Sequence, residues 1–428
     1  MSVLIFFAYA VIFCFLITRI SFFKKSGLNN YWLIGLFLIK IAAGCVYGWF
    51  YSLPANIQTS DTWRYFNAST KETDLLLSHP VTFIKDLFLY SYTSTGNLFV
   101  AHNSYWNNLK DNLLIKILAV INVFSFKHYY ADVIFCNFFF FIGCIAFYRL
   151  LKEKISANKF ILIAFVFCIP SFLFWCSGVH KDGFVFMAIA LCIFYFNEWI
   201  TAKRISFTAI LIFIFCVLIL FALRNFVLLL LLPGLITWYL CYHYPQKKIL
   251  LITCIYGFAI FIFFISGFIS GSINFPAYIV NKQIEFKALG GKSQLMLPEL
   301  KPEFISFIQF VPYAIDTAFL RPHITETANT LYLPAIAENI LLYALIIFSA
   351  INAYRKRRQN IFTEPAKAFI IFCFVFAISN LLMMGYTVTL TGAIVRYRSF
   401  ILPFIIAPLS AFISVEKKPA TPGHSTKN

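Results

Sequence analysis

The feature that most limits this chain is a series of eleven apolar runs, each close to the ~20 residues a helix needs to cross a bilayer. They lie at about 2–18, 31–51, 130–150, 159–176, 183–199, 205–223, 226–243, 249–269, 335–354, 367–386 and 399–415. In hydrocarbon a backbone must satisfy its own N–H and C=O groups, so each run is expected to be a helix. The fold predicted is an all-α integral membrane protein of about eleven transmembrane helices. Residues 1–415 form a single polytopic membrane domain, and 416–428 a short polar tail. Composition excludes the soluble classes: 61% of the residues are hydrophobic and only 12% charged, against roughly 25% charged in a soluble domain.

Charge sets the orientation. The first run is followed by Arg19, Lys24 and Lys25 and has no basic residue before it. No small-residue cleavage site marks it as a signal peptide, so it is read as a span with its N-terminus outside. The loops then expected inside carry Arg149/Lys152/Lys154/Lys159, Lys203/Arg204, Lys247/Lys248, Arg355/Lys356/Arg357/Arg358/Lys367 and Lys417/Lys418. All are short and basic, as the positive-inside rule requires, and the tail is expected to be cytoplasmic. About half of the Lys and Arg residues are used this way. The net charge of +18 therefore describes topology and not a nucleic-acid partner, for which no basic reading face is present.

The eleven cysteines lie almost all inside apolar runs (Cys14, Cys136, Cys192, Cys254, Cys373), with no C-x-x-C pair. They read as small buried hydrophobes. No HExxH, GxGxxG or EF-hand pattern occurs. Residues 290–293 (Gly-Gly-Lys-Ser) look like the end of a P-loop, but Phe286 stands where its first glycine is needed. His79, Lys85, His102 and His128 read as solvated loop residues without metal-ligand spacing. No metal and no cofactor is expected.

Two long segments face outward, 52–129 and 270–334. The first holds a short apolar stretch at 113–126, expected as a helix lying in the interface. The second carries Pro276, Pro298, Pro302, Pro312, Pro322 and Pro334 and a short apolar run at 304–320. Short helices and turns capping the membrane body are expected, since proline breaks regular helices.

Charges near the outer ends of spans are not explained by topology, and an ionised group at mid-membrane costs about 2.5–3.5 kcal/mol on insertion scales. Five clusters of polar residues occur: Asp61, Arg64 and Tyr65; His180, Lys181 and Asp182; Arg224 and Asn225; Arg321, His323, Glu326 and Glu338; and Arg396, Tyr397 and Arg398. Each alone is an interfacial anchor. Together, on one face, they predict a convergent cationic pocket. Arg and Lys suit a lipid phosphate or pyrophosphate. Asp61 or Glu326 could supply a carboxylate base for an attacking hydroxyl. Trp49, Trp63, Tyr65, Trp106 and Trp175 could stack on sugar rings, although each also fits the ordinary aromatic belt.

The order of these motifs carries a resemblance. Asp61-x-x-x-Tyr65 after an early span is followed by PSFLFWCSGVHKDG, FLRPHITETANTLYLPAIAEN and GAIVRYRSFILPF. The chain resembles bacterial polytopic glycosyltransferases of the GT-C kind, especially the Wzy-like and EpsG-like proteins of surface-polysaccharide clusters. The resemblance covers most of the chain by architecture and only short stretches by motif. It implies a multi-pass protein of the bacterial inner membrane that consumes a polyprenyl-linked sugar or oligosaccharide at the outer face, within the membrane lipid and beside other polysaccharide-assembly proteins. It further implies Asp61 as catalytic base, although the family's acidic residue often follows the first span and here follows the second. Glu326 stays open as the alternative. It implies Arg321, Arg396 and Arg398 as holders of the donor phosphate, supported by Lys181 and Arg224, and Arg64, Tyr65, His180, Asp182 and Tyr397 as positioning residues. Two other readings stand beside it: a transporter or flippase of the same lipid-linked glycans, with charges deep between broken helices, and a non-catalytic subunit of a polysaccharide machine.

Overall fold

The computed structural model describes residues 2–89, 105–201, 206–269, 273–291, 293–327, 330–355 and 362–413. Among them the chain is helical throughout, with one isolated bridge between Gln294 and Leu390. The helices are α1 (Ser2–Arg19), α2 (Ser21–Lys24), α3 (Asn30–Ser52), α4 (Asp61–Ser78), α5 (Pro80–Leu89) and α6 (Tyr105–Ser125). Next come α7 (Tyr129–Lys154), α8 (Lys159–Phe167), α9 (Pro170–Trp175), α10 (Lys181–Thr201), α11 (Phe207–His243) and α12 (Lys248–Ile269). The last six are α13 (Phe275–Leu289), α14 (Phe304–Ile315), α15 (Leu333–Arg355), α16 (Glu364–Thr387), α17 (Thr391–Ser399) and α18 (Leu402–Ile413).

Among the described residues, eight helices are long and apolar enough to cross a membrane: α1, α3, α7, α10, α11, α12, α15 and α16. A ninth is added if α17 and α18, bent by 57° at their break, form one span. Seven of the eleven apolar runs coincide with one of these helices each; 205–223 and 226–243 share α11, 399–415 falls on the bent α17–α18 pair, and 159–176 is not among them. Run 159–176 is broken, because α8 ends at Phe167 and Pro170 opens α9. Proline disfavours the helical region for the residue before it, and Ile169 is extended (φ −63°, ψ 121°).

Runs 205–223 and 226–243 join in the 37-residue α11, which is interrupted by a single non-helical residue, Arg224 (φ −152°, ψ 75°). Ring contacts show what that residue does. Phe213 before it meets Trp199 (4.5 Å between centroids), and Trp238 after it meets Phe196 (5.6 Å). Both partners sit near the end of α10, whereas Arg224 bonds Asp182 at its start. The two legs of α11 therefore run back along the same helix, and Arg224 is the turn.

The centre of the bundle is α7 against α10, both rich in buried Phe, Ile and Cys. Dispersion and close packing hold such helices together, because lipid tails are as apolar as the side chains themselves. Gly143 is where they approach most closely: a Cβ there would lie 2.5 Å from Met187 Cα.

The expected interfacial stretch 113–126 is the second half of α6 and packs beneath α4, burying Leu114, Leu118 and Ile121. The run 304–320 forms α14 and a π-helical turn to Leu320 that rests on α16. The 416–428 tail, and with it Lys417 and Lys418, lies outside the described residues, as do Lys292, Lys203, Arg204 and 356–361.

Candidate functional site

The site begins with a non-helical stretch held inside the bundle. Residues 176–180 link α9 to α10, and their carbonyls need partners because bulk water is excluded there. Three side chains supply them. Lys40, fully buried near the middle of α3, donates to Cys176 O (3.1 Å) and Ser177 Oγ (2.9 Å). Asn137 of α7 donates to Ser177 O (2.7 Å), and Thr62 of α4 donates to Val179 O (2.8 Å). Gly44 lets the stretch lie against α3, since a Cβ there would come within 2.3 Å of Ser177 O. This framework sets His180, Lys181 and Asp182 into the bundle at the start of α10.

Arg396 of α17 ties that triplet to the start of α4. Its Nε donates to Asp182 Oδ2 (3.1 Å), its Nη1 to Asp61 Oδ2 (3.1 Å), and its Nη2 to His180 Nε2. His180 Nδ1 lies 3.0 Å from Asp182 Oδ2. A guanidinium needs an acceptor and a carboxylate needs a donor, so the neutral ring with its proton on Nδ1 satisfies both. Burial and the Arg396 charge push the His180 imidazole down to about 4, which keeps it neutral. For Asp61, burial acts to raise the carboxyl, but the positive groups around it, Arg396 first and Lys181 among them, together outweigh it and hold the group below its ordinary value. Asp61 is ionised and 35% of its side chain remains exposed.

Arg224, presented by the turn of α11, donates to Asp182 Oδ1 (2.5 Å) and lies over the Tyr397 ring at 4.1 Å. A third carboxylate closes the ring: Asp111 of α6 accepts from Tyr65 Oη (2.8 Å), Arg64 (3.4 Å) and Lys181 (3.5 Å). Burial, then Asp111, raise the Tyr65 hydroxyl, so it stays protonated as a donor.

These groups border a cavity of about 600 Å³. Asp61, Arg64, Asp111, Lys181 and Arg224 form its polar side. Leu223 and Phe226 of α11, Ile279 and Phe286 of α13, and Met384 of α16 form an apolar side, with Lys282 and Glu285 at the rim of α13. The expectation of a cationic pocket is modified in one respect. Every cation here has a carboxylate beside it, and Asp182 alone serves Arg224 and Arg396. The cavity is a lattice of alternating charge with an apolar wall.

Of the residues singled out in the sequence, the structure gathers Asp61, Arg64, Tyr65, His180, Lys181, Asp182, Arg224, Arg396 and Tyr397 at this place. Three stand apart. Arg321 is paired with Asp316 (2.9 Å) and Glu326 (2.5 Å), with His323 on Asp316 (2.8 Å), and neither Arg321 nor Glu326 lines the cavity. Arg398 is two residues from Arg396, about 200° around a helix at 3.6 residues per turn, so it faces away. It is almost fully buried and donates to Arg321 O (3.1 Å) and Asn339 Oδ1 (2.6 Å). Glu338 is also used structurally, accepting from Ser171 N (2.7 Å).

Two residues escaped the sequence reading. Lys40 is the only charged residue inside its apolar run, a signal strong enough to have found it. Asp111 sits in a polar stretch before an apolar one, where nothing distinguishes it from a solvated loop residue. Among the described residues, no three His, Cys, Asp or Glu side chains come together as a metal site. No family model, curated protein or solved structure matches this chain.

Proposed function

We propose that this chain transfers a sugar, or an oligosaccharide repeat unit, from a polyprenyl-phosphate or -pyrophosphate donor at the outer face of the bacterial inner membrane. The observation that carries the reading is Asp61: an ionised, partly exposed carboxylate at the edge of a cavity that sets Arg64, Lys181 and Arg224, each beside a carboxylate, opposite an apolar wall. A donor with an anionic head and an isoprenoid tail matches both sides of that cavity.

In the proposed step the acceptor hydroxyl attacks the anomeric carbon, its proton passes to Asp61, and the bond to the phosphate oxygen breaks with its electron pair. Held low by Arg396, Asp61 is a weak base, suited to taking the proton late, as the new bond forms. Lys181, Arg64 and Arg224 lie where they stabilise charge growing on the departing phosphate. Between the two carboxylates left open by the sequence, we assign the base to Asp61, because Glu326 is held by Arg321 away from the cavity. We read the α8–α9 pair, each leg of α11 and the α17–α18 pair as crossings. That restores eleven spans with the N-terminus outside, and it sets every cavity group at the outer ends.

The test is mass spectrometry of lipid-linked glycans in a strain lacking the protein, complemented with wild type, Asp61→Asn or Glu326→Gln. Complete repeat units accumulating on the lipid mark a polymerase, and a truncated unit marks a single-sugar transferase. Asp61→Asn should fail to restore the wild-type pool and Glu326→Gln should restore it. Rescue by Asp61→Asn removes the base assignment, and an unchanged pool in the deletion strain removes glycosyl transfer. A second reading, export of the same glycans, draws on the broken helices at 168–170 and at the α17–α18 bend. It expects the complete lipid-linked unit to be retained on the inner leaflet.

A further inference from the structure

At the opposite end of α7 and α10 from the cavity lies a second recess, of about 330 Å³. Its walls are the turn after α2 (Lys25, Ser26), the last turns of α7 (Arg149, Lys152, Glu153) and the end of α10 (Phe194, Glu198). Basic residues at the inner ends of spans are ordinary: they answer helix C-terminal dipoles and set topology. Lys152 and Lys154 fit that description. Arg149 does not. It lies more than a turn before the end of α7, and its guanidinium lies against the edge-to-face ring pair Phe22 (4.8 Å) and Phe194 (4.7 Å). Among the described residues no carboxylate stands within ion-pair reach of it, and its hydrogen bond is a long one, to Phe22 O at 3.5 Å. The rings seat the guanidinium, and among the described residues most of its N–H groups have no protein acceptor.

The surroundings favour an anion. Lys152 is drawn in by a bond to Ser26 O (3.1 Å), and Gly27 makes the room: a Cβ there would lie 2.3 Å from Lys152 Nζ. Gly27 is also left-handed (φ 73°), the region that favours glycine. Glu153 is already engaged by Lys154 (2.9 Å) and Asn197 (3.3 Å). Glu198 is the other carboxylate of the lining, so three cations face two carboxylates there, one of which already holds Lys154. A planar donor fork beside two ammonium groups at the end of a membrane bundle is the chemistry of a phosphodiester in a lipid headgroup.

We propose that this recess binds the phosphate of an anionic membrane lipid, through Arg149, Lys152 and Lys25. The site is independent of the outer cavity and of the reaction proposed there. The experiment is native mass spectrometry of the full chain in detergent, titrated with phosphatidylglycerol or with phosphatidylcholine of the same acyl chains. Wild type should retain phosphatidylglycerol about tenfold or more in preference to phosphatidylcholine, from the charge of the added basic groups. Arg149→Gln and Lys152→Gln should each lose most of that preference, and Lys24→Gln, outside the recess, should keep it. Equal retention of the two lipids, or an undiminished preference in both variants, overturns the proposal. Displacement by inorganic phosphate would assign the recess to free phosphate and overturn the lipid assignment. Should the variants unfold, the wild-type chain still decides: a rise in Tm with phosphatidylglycerol and none with phosphatidylcholine supports the site, and equal shifts refute it.

Discussion

Replacing Arg396 by lysine tests whether the outer cavity works as an aligned unit or as a mere sum of charges. Three nitrogens of one planar fork reach Asp182, Asp61 and His180. A lysine keeps the charge but is a single point on a flexible stem, and it can serve one carboxylate in place. A hydrogen bond to a charged group contributes about 1.5–3 kcal/mol. Losing one at Asp61 therefore costs roughly 2 kcal/mol of alignment, or about thirtyfold in transfer rate if the loss falls on the transition state. Arg396→Gln goes further. It leaves Asp61 with Arg64 alone and Asp182 with Arg224 and a neutral histidine, and breaking a buried pair costs about 3–5 kcal/mol. The assay is the lipid-linked glycan pool of a complemented deletion strain, normalised to the amount of protein in the membrane. A double-mutant cycle with Asp61→Asn adds the sharper readout, because groups in direct contact couple by about 0.5–3 kcal/mol. Wild-type transfer by Arg396→Lys, or strictly additive losses in the cycle, would refute the reasoning that the fork aligns the base.

Other outcomes follow from the same geometry. Arg398→Gln should lower Tm in detergent and the amount of protein in the membrane, since its guanidinium holds Arg321 O and Asn339; per-molecule transfer should fall far less than for Arg396→Gln, and the reverse order of effects would show Arg398 to be the functional cation. The pH profile of transfer should carry no inflection near 6.5: His180, pushed down to about 4, is neutral in the fold while the unfolded chain binds a proton below its ordinary value of 6.5. Its contribution to stability is therefore complete above about 6.5 and declines as pH falls from there toward 4, and a gain in stability on acidification through that window would contradict the assignment. Lys40→Met should free the 176–180 stretch, read as faster labelling of the otherwise buried Cys176 by a water-soluble maleimide, with labelling of the lipid-facing Cys254 as the reference; unchanged Cys176 labelling would mean that Asn137 and Thr62 suffice.

The helices were legible because hydrocarbon leaves a chain one local solution. Any run of about 20 apolar residues must satisfy its backbone internally, so the sequence of Phe207–His243 reads as spans without knowledge of its neighbours. What was less legible is how spans are interrupted. Pro170 announces the break between α8 and α9, and the polar Arg224–Asn225 pair between two apolar runs marks the turn of α11, but nothing in LRNF announces what holds that turn. That depends on Asp182, 42 residues away, taking the guanidinium. The short apolar run 113–126 is visible in the sequence, but the neighbour it packs against is not. In the fold it is sheltered by α4, an amphipathic helix whose buried Tyr65, Phe66, Ser69 and Thr73 face it.

The site was half legible for a related reason. Charge at span ends can be found in one dimension, and nine of the twelve residues chosen that way share one place. Direction around a helix and partnership between segments cannot be found so simply. Arg396 and Arg398 look alike in VRYRS, yet a helix places them on opposite faces, one against Asp61 and Asp182 and one beneath the loop of Arg321. The same rotation separates the two clusters while joining them through one helix: α17 reaches Asp61 and Asp182 through Arg396 and the Arg321–Glu326 loop through Arg398. The 57° break to α18 follows directly. A ligand that displaced Arg396 from Asp61 would therefore pull on the loop that Arg398 holds.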